Sequence, residues 1–169
     1  EYSASMKEPF SIFHASRDND GMRSVFQLNL ITATKISGTR WDIKSTKIPV
    51  PTVSSALTFD GSGGLVAKKW ASRWDSSSQG KTSRAVFSGF CDAVFSEEDK
   101  LSFGAPQIVS LYRIKSGQTI GFVHKGKSFY SGAEILPSAQ GDLSSVEWRN
   151  RLFERCDYNF QNAQKEIKS

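Results

Sequence analysis

A chain of 169 residues with 38% hydrophobic and 23% charged side chains can bury a core of its own and is too apolar to be disordered throughout. No apolar run approaches the length of a bilayer span, so no transmembrane segment is expected. The net charge of +5 is spread without a block of five like charges, and it tilts the choice of partner toward something anionic: nucleic acid, a membrane surface or an acidic protein.

The chain opens on Glu1, as a processed secreted protein or an excised domain would, and a polar arm is expected over residues 1–9. Phe10 to Ala15 alternates as a first short strand, and the polar run Ser16 to Gly21, closing on Asp-Gly, reads as a turn. Ser24 to Thr34 is a second strand with a nearly apolar face of Phe26, Leu28 and Leu30. In Thr39 to Val50, Trp41, Ile43 and Ser45 alternate with Arg40, Asp42 and Lys44, the pattern of a surface strand. Pro49 and Pro51 put its end at an edge or an exit, because proline has no N–H for a ladder. Val53 to Phe59 reads as one more short extended segment.

Asp60 to Gly64 is a flexible Gly-rich loop. A phosphate-cradling reading fails there, since neither Gly-Lys-Ser/Thr nor a dinucleotide fingerprint is present. Gly80-Lys81-Thr82 resembles the close of a nucleotide loop, but Asp75 stands where the required glycine would be, so nucleotide hydrolysis is rejected. Leu65 to Trp74 and Arg84 to Phe95 each fit a helix and a strand. Val86, Phe90 and Val94 repeat at four, while Phe87, Gly89, Cys91, Ala93 and Phe95 alternate.

Ala105 to Ile135 carries the clearest architectural pattern. Strands are predicted over Ile108 to Ile114, Thr119 to Lys125 and Ser128 to Ile135, with turns at Lys115–Gln118 and His124–Lys127 and a bulge or close approach at Gly132. Beyond it, Ser144 and Glu147 have capping-box spacing, and Leu152, Phe153, Cys156, Phe160, Ala163 and Ile167 recur at helical intervals, which predicts a helix over 144–165. The whole reads as a single globular α+β domain over 1–169. It is mostly antiparallel β, with a sandwich- or barrel-like sheet around the central meander and a long C-terminal helix.

No catalytic signature stands out. No Gly-x-Ser-x-Gly elbow is present, and Cys91 lies in an apolar run that suits an inert buried thiol. Two cysteines and two histidines match no zinc spacing, so no metal and no cofactor are expected. Cys91 and Cys156 read as buried free thiols ahead of a disulfide.

The leading expectation is a non-enzymatic binding or assembly domain that presents a basic, aromatic-bearing surface to RNA or an acidic protein through Lys68, Lys69, Trp70, Arg73, Lys125 and Lys127. The plainer account of the same residues is tryptophans in a core or interface, cations snorkelling over them, and a solvated basic turn. Two alternatives stand beside it. One is a secreted basic effector, a metal-independent nuclease using His124 with His14 and Glu134. The other is a structural protein that forms homo-oligomers through its tryptophans and C-terminal helix.

Overall fold

The fold is taken from a computed structural model, which describes residues 8–18, 21–38, 40–136 and 143–158. The chain divides into two compact units, Glu1–Val50 with Leu111–Ser116, and Pro51–Ser110 with Gly117–Ser169.

Alternating, β-branched sequence produces the first unit. Strands β1 (Phe10–Asp18), β2 (Val25–Ser37) and β3 (Arg40–Ile48) form an antiparallel sheet in the order β1-β2-β3. β1 and β2 stay in unbroken register from Phe10 opposite Ala33 to Asp18 opposite Val25, and the β2–β3 ladder is irregular only between Lys35 and Ser37. The predicted turn at residue 16 begins later than expected, because the strand runs on through Asp18 before a single 3-10 turn at Gly21–Arg23. Residues 111–116 are tied to this hairpin by reciprocal bonds. The Arg17 guanidinium donates to the Tyr112 and Lys115 carbonyls (2.5 and 3.1 Å), and Arg113 donates to the Ser24 carbonyl (3.2 Å) while lying 5.5 Å from the Phe26 ring centroid.

The second unit joins a helical hairpin to a five-stranded sheet. Both segments that fitted either element are helices, α1 (Gly64–Asp75) and α2 (Ser83–Phe95). The Thr82 hydroxyl caps α2 by accepting from the Ala85 N–H (3.1 Å), which satisfies one of the donors a helix start leaves open. Gly89, costly in a helix by itself, lets the two helices approach: a Cβ there would stand 3.2 Å from the Ala71 Cα.

The predicted meander is present as β4 (Ile108–Ser110), β5 (Gln118–His124), β6 (Lys127–Tyr130) and β7 (Ala133–Ile135), and β5 also pairs in parallel with β8 (Trp148–Asn150). The first predicted strand stops at Ser110. The third is split at Ser131 and Gly132, both at positive φ (51° and 81°). Gly132 is also a close approach, since a Cβ there would fall 2.8 Å from the Gln107 Nε2.

Central β5 is the most buried strand. Its Phe122 meets Phe87 edge-on at 5.9 Å, and these two with Cys91 form the core, flanked by Phe95, Ile108, Phe129 and Phe153. Burying a phenylalanine completely contributes about 1.5–3 kcal/mol.

The α+β class and the antiparallel majority are as expected. Two features differ. The sheets are open, neither a barrel nor a closed sandwich. No long C-terminal helix forms over 144–158: Trp148–Asn150 is strand, and the rest of that span is turn and extended chain, while residues 159–165 of the predicted helix lie outside the described residues. The reason is local. The Asn150 side-chain carbonyl accepts from the Leu152 and Glu154 N–H groups (2.9 and 3.0 Å), Phe153 sits at φ 62°, and pairing with β5 takes the strand before them. Val53 to Phe59 joins no ladder, and Val53 and Ser54 lie in a bend, so the expected short strand does not form there. Among the described residues no helix is long and apolar enough to cross a membrane.

Candidate functional site

Charge is divided unequally between the units. Residues 1–50 and 111–116 hold nine lysines and arginines against five aspartates and glutamates, a net of +4 out of the chain's +5; the remaining residues hold thirteen against twelve. The basic excess therefore belongs to the unit that holds the three-stranded sheet.

The register of that sheet decides which residues share a face, since alternate side chains point the same way and directly paired residues lie side by side. One face carries Phe10, Ile12 and His14 of β1, Asn29, Ile31, Ala33 and Lys35 of β2, and Trp41, Ile43, Ser45 and Lys47 of β3. Lys35 lies opposite Trp41, and Lys47, Asn29 and His14 form one row across the three strands. Phe10 and Trp41 meet over Ala33, ring centroids 5.9 Å apart with planes at 55°. Trp41 and Lys47 are six residues apart on one strand, so the aromatic pair and the lysine row stand about 20 Å apart. Lys35, Lys47, His14, Ile12 and Ile43 are all exposed, Ile43 at 67%. The result is an open, pleated surface with aromatic rings toward one end and cations at both.

The residues singled out in the sequence sit in the second unit. Lys69 pairs with Glu98 (2.8 Å), and the Trp70 indole N–H donates to the same carboxylate (3.1 Å). Lys69 and Arg73 stand 5.9 and 5.0 Å from the Trp70 ring centroid, so these three are brought together, with Glu98 among them. The Lys69 ammonium and the Trp70 N–H hold the Glu98 carboxyl below its ordinary range. Lys68 lines a small cavity with Ser55, Phe59 and Asp75. Lys127 pairs with Glu134 across β6 and β7 (3.0 Å), and Lys125 sits at φ 48° in the turn before it.

His124 is stacked on Phe95, and its Nδ1 is buried without a hydrogen-bond partner. Burial, then the charges of Lys125 and Arg151, push its pKa below the usual imidazole value, so the ring is neutral at pH 7. No hydrogen bond among the described residues links it to Glu134. His14 lies on β1 in the first unit. Burial pushes the Cys91 thiol up to about 12, which removes it as a nucleophile at neutral pH. Cys91 and Cys156 are not joined in a disulfide. Among the described residues no three His, Cys, Asp or Glu side chains are grouped to hold a metal ion.

The sheet face escaped the sequence reading because its residues come from three strands, and only the pairing register unites them. Segmental charge alone gives little signal, since the first fifty residues hold seven lysines and arginines against five aspartates and glutamates, and the excess of the unit emerges only when Arg113 and Lys115 of residues 111–116 join it. Comparison of the chain with protein-family models, with curated proteins and with solved structures gives no match.

Proposed function

We propose that this chain is a non-enzymatic binding domain for single-stranded RNA, and that the exposed face of the β1–β2–β3 sheet is its binding surface. The observation that carries the reading is the confinement of nearly all the net positive charge to the unit whose sheet places the half-buried rings of Phe10 and Trp41 and the exposed Lys35 and Lys47 on one face. Single strands are held by cations that track phosphates and by aromatic rings on which unstacked bases lie, and every base has a face to offer, so such binding is tolerant of sequence. His14 and Asn29, in the row of Lys47, supply hydrogen-bonding groups beside the cation.

The test is the affinity for a labelled oligouridine, followed by fluorescence anisotropy across a salt series. Lys35→Glu with Lys47→Glu is expected to flatten the slope of log affinity against log salt by about 0.7 for each phosphate that is no longer neutralised. Trp41→Ala is expected to weaken binding at every salt concentration by roughly 1–3 kcal/mol without changing that slope. An unaltered slope in the double variant, or no binding at low salt, overturns the reading.

A second reading places the same partner on α1, and the stacking of Arg73 and Lys69 on Trp70 favours it. The neutralising contact of Glu98 with Lys69 counts against it. Charge reversal of Lys68, Lys69 and Arg73, measured in the same assay, separates the two surfaces; Lys125→Glu with Lys127→Glu does the same for the β5–β6 turn.

A further inference from the structure

The second unit contains a feature that an RNA-binding surface does not use. A cavity of about 620 Å³ opens between the helical hairpin, the irregular segment 54–60 and the β4 edge. Ala67 and Ala71 of α1 are short and leave room, Val86, Phe87 and Phe90 of α2 form the floor and one wall, and Leu57, Phe59, Ile108, Val109 and Phe153 close the rest. Four of these side chains are large and apolar yet exposed: Leu57 (41%), Phe59 (37%), Phe90 (42%) and Val109 (77%). Exposed apolar side chains gathered at one concavity are what a ligand site shows, and the volume falls within the range of small-molecule pockets, about 300–1,000 Å³.

The polar lining narrows the ligand. Among the described residues no lysine, arginine or histidine lines the cavity; Lys68 lines a smaller neighbouring space that shares Ser55, Ala56, Phe59, Ala71 and Val86 with it. A carboxylate or phosphate bound here would lose its water and gain no counter-charge, which is costly. Asp60 is the one charged residue in the lining, and its carboxylate accepts from the Gly61 N–H (2.8 Å). The other polar side chains of the lining are uncharged: the Ser55 and Thr58 hydroxyls, the paired Ser54 and Ser83 hydroxyls (3.2 Å) and the exposed Gln107 amide.

We infer that this cavity is a binding site for a neutral, predominantly apolar small molecule carrying one hydrogen-bonding group. The site is independent of the RNA-binding reading, since it is built wholly from the second unit.

N-phenyl-1-naphthylamine, an uncharged fluorophore that brightens in apolar surroundings, tests the inference on the full chain. Saturable brightening at one site per chain is expected, with 1-dodecanol displacing the probe at lower concentration than dodecanoate at pH 8. Ala67→Phe fills the cavity and is expected to weaken probe binding about tenfold or more, given that single methylene changes in apolar pockets are worth that much. Should Ala67→Phe lower the thermal midpoint, Val109→Ser supplies the same reading from an exposed position at the rim, where weaker binding is expected with the midpoint unchanged. Absence of saturable brightening, dodecanoate displacing as well as dodecanol, or full affinity in both folded variants would each overturn the assignment.

Discussion

The His124 imidazole lies flat on the Phe95 ring, with centroids 4.4 Å apart and planes 11° from parallel, so that the last residue of β5 and the last of α2 close the core together. Burial of the ring disfavours its charged form. His124 has its pKa lowered by burial first, and then by Lys125 and Arg151, whereas in the unfolded chain it titrates near about 6.5. Between the folded and unfolded values the unfolded state binds more protons, so stability rises with pH through that window and is fully present above the unfolded value. The midpoint of thermal unfolding is therefore expected to fall as pH drops below about 6.5. His124→Phe, which keeps a flat ring and removes the titration, should flatten the curve just below about pH 6.5. Glu98 and Asp99, also lowered, lose their contribution only at more acidic pH, which keeps the windows apart. A His124→Phe profile as steep as that of the parent would discard this account.

Trp148 and Gly121 show why a strand stands where helical spacing was read. The buried indole covers the glycine in the parallel β5–β8 pair, and a Cβ at Gly121 would overlap it. Gly121→Ala must push the ring or the strand aside, and overpacking of this kind costs about 1–3 kcal/mol. Urea unfolding should show a lower midpoint with an unchanged slope. Pairing Gly121→Ala with Trp148→Leu should recover part of the loss, because the smaller side chain vacates the space.

Strands with a single apolar face were the readable part of this chain. β2 declares itself in the sequence through the alternation of Phe26, Leu28 and Leu30, and the meander through its turns, although the burial along β2 and β5 does not itself alternate. α2 was ambiguous for a physical reason. Phe87, Gly89 and Cys91 are all buried as part of a helix covered on more than one side, so apolar residues at spacings of two and four coexist. The 144–158 span misled in the opposite sense: Leu152, Phe153 and Cys156 have helical spacing, but Asn150 captures the backbone N–H groups a helix would need. The binding residues were hardest to read. Lys69 and Trp70 look like a free basic-aromatic pair until Glu98, 28 residues beyond Trp70, is seen to engage both. The Phe10–Trp41 pair is invisible until two ladders set the register.

Gly89 and Ala71 set a second steric test, one in which two effects oppose. Alanine in a helix interior is better than glycine by about 1 kcal/mol, which favours Gly89→Ala. The new Cβ would stand 3.2 Å from the Ala71 Cα and 3.3 Å from the Trp70 carbonyl oxygen, and these are backbone atoms of α1 that cannot turn away as a side chain can. The steric term is expected to win, with a net loss of about 1 kcal/mol or more in chemical denaturation. The same exchange should also loosen the cavity wall that α1 and α2 share, and probe affinity there should fall with it. A gain in stability would show that the helices can part without cost.

Asp92 is the residue on which three segments of the second unit converge. From α2, its Oδ2 accepts from the Trp74 indole N–H of α1 (2.8 Å), and its Oδ1 accepts from the Arg151 guanidinium after β8 (2.5 Å). The carboxylate is largely buried, with its side chain 12% exposed, so solvent screens the pair less than it screens the surface pairs of this protein. Removing it leaves an indole N–H and a guanidinium without their acceptor, and such one-sided deletions cost more than the bonds themselves contribute, about 2–4 kcal/mol together. Asp92→Ala is expected to destabilise by that amount in urea. Asp92→Asn should fall between it and the parent, because an amide oxygen can serve one donor but carries no charge for the arginine. Trp74→Phe combined with Asp92→Ala should cost less than the sum of the two single changes, since each removes the same hydrogen bond. Strict additivity in that cycle would mean that the Trp74–Asp92 contact holds nothing together, and that the helical hairpin relies on the Gly89–Ala71 approach alone.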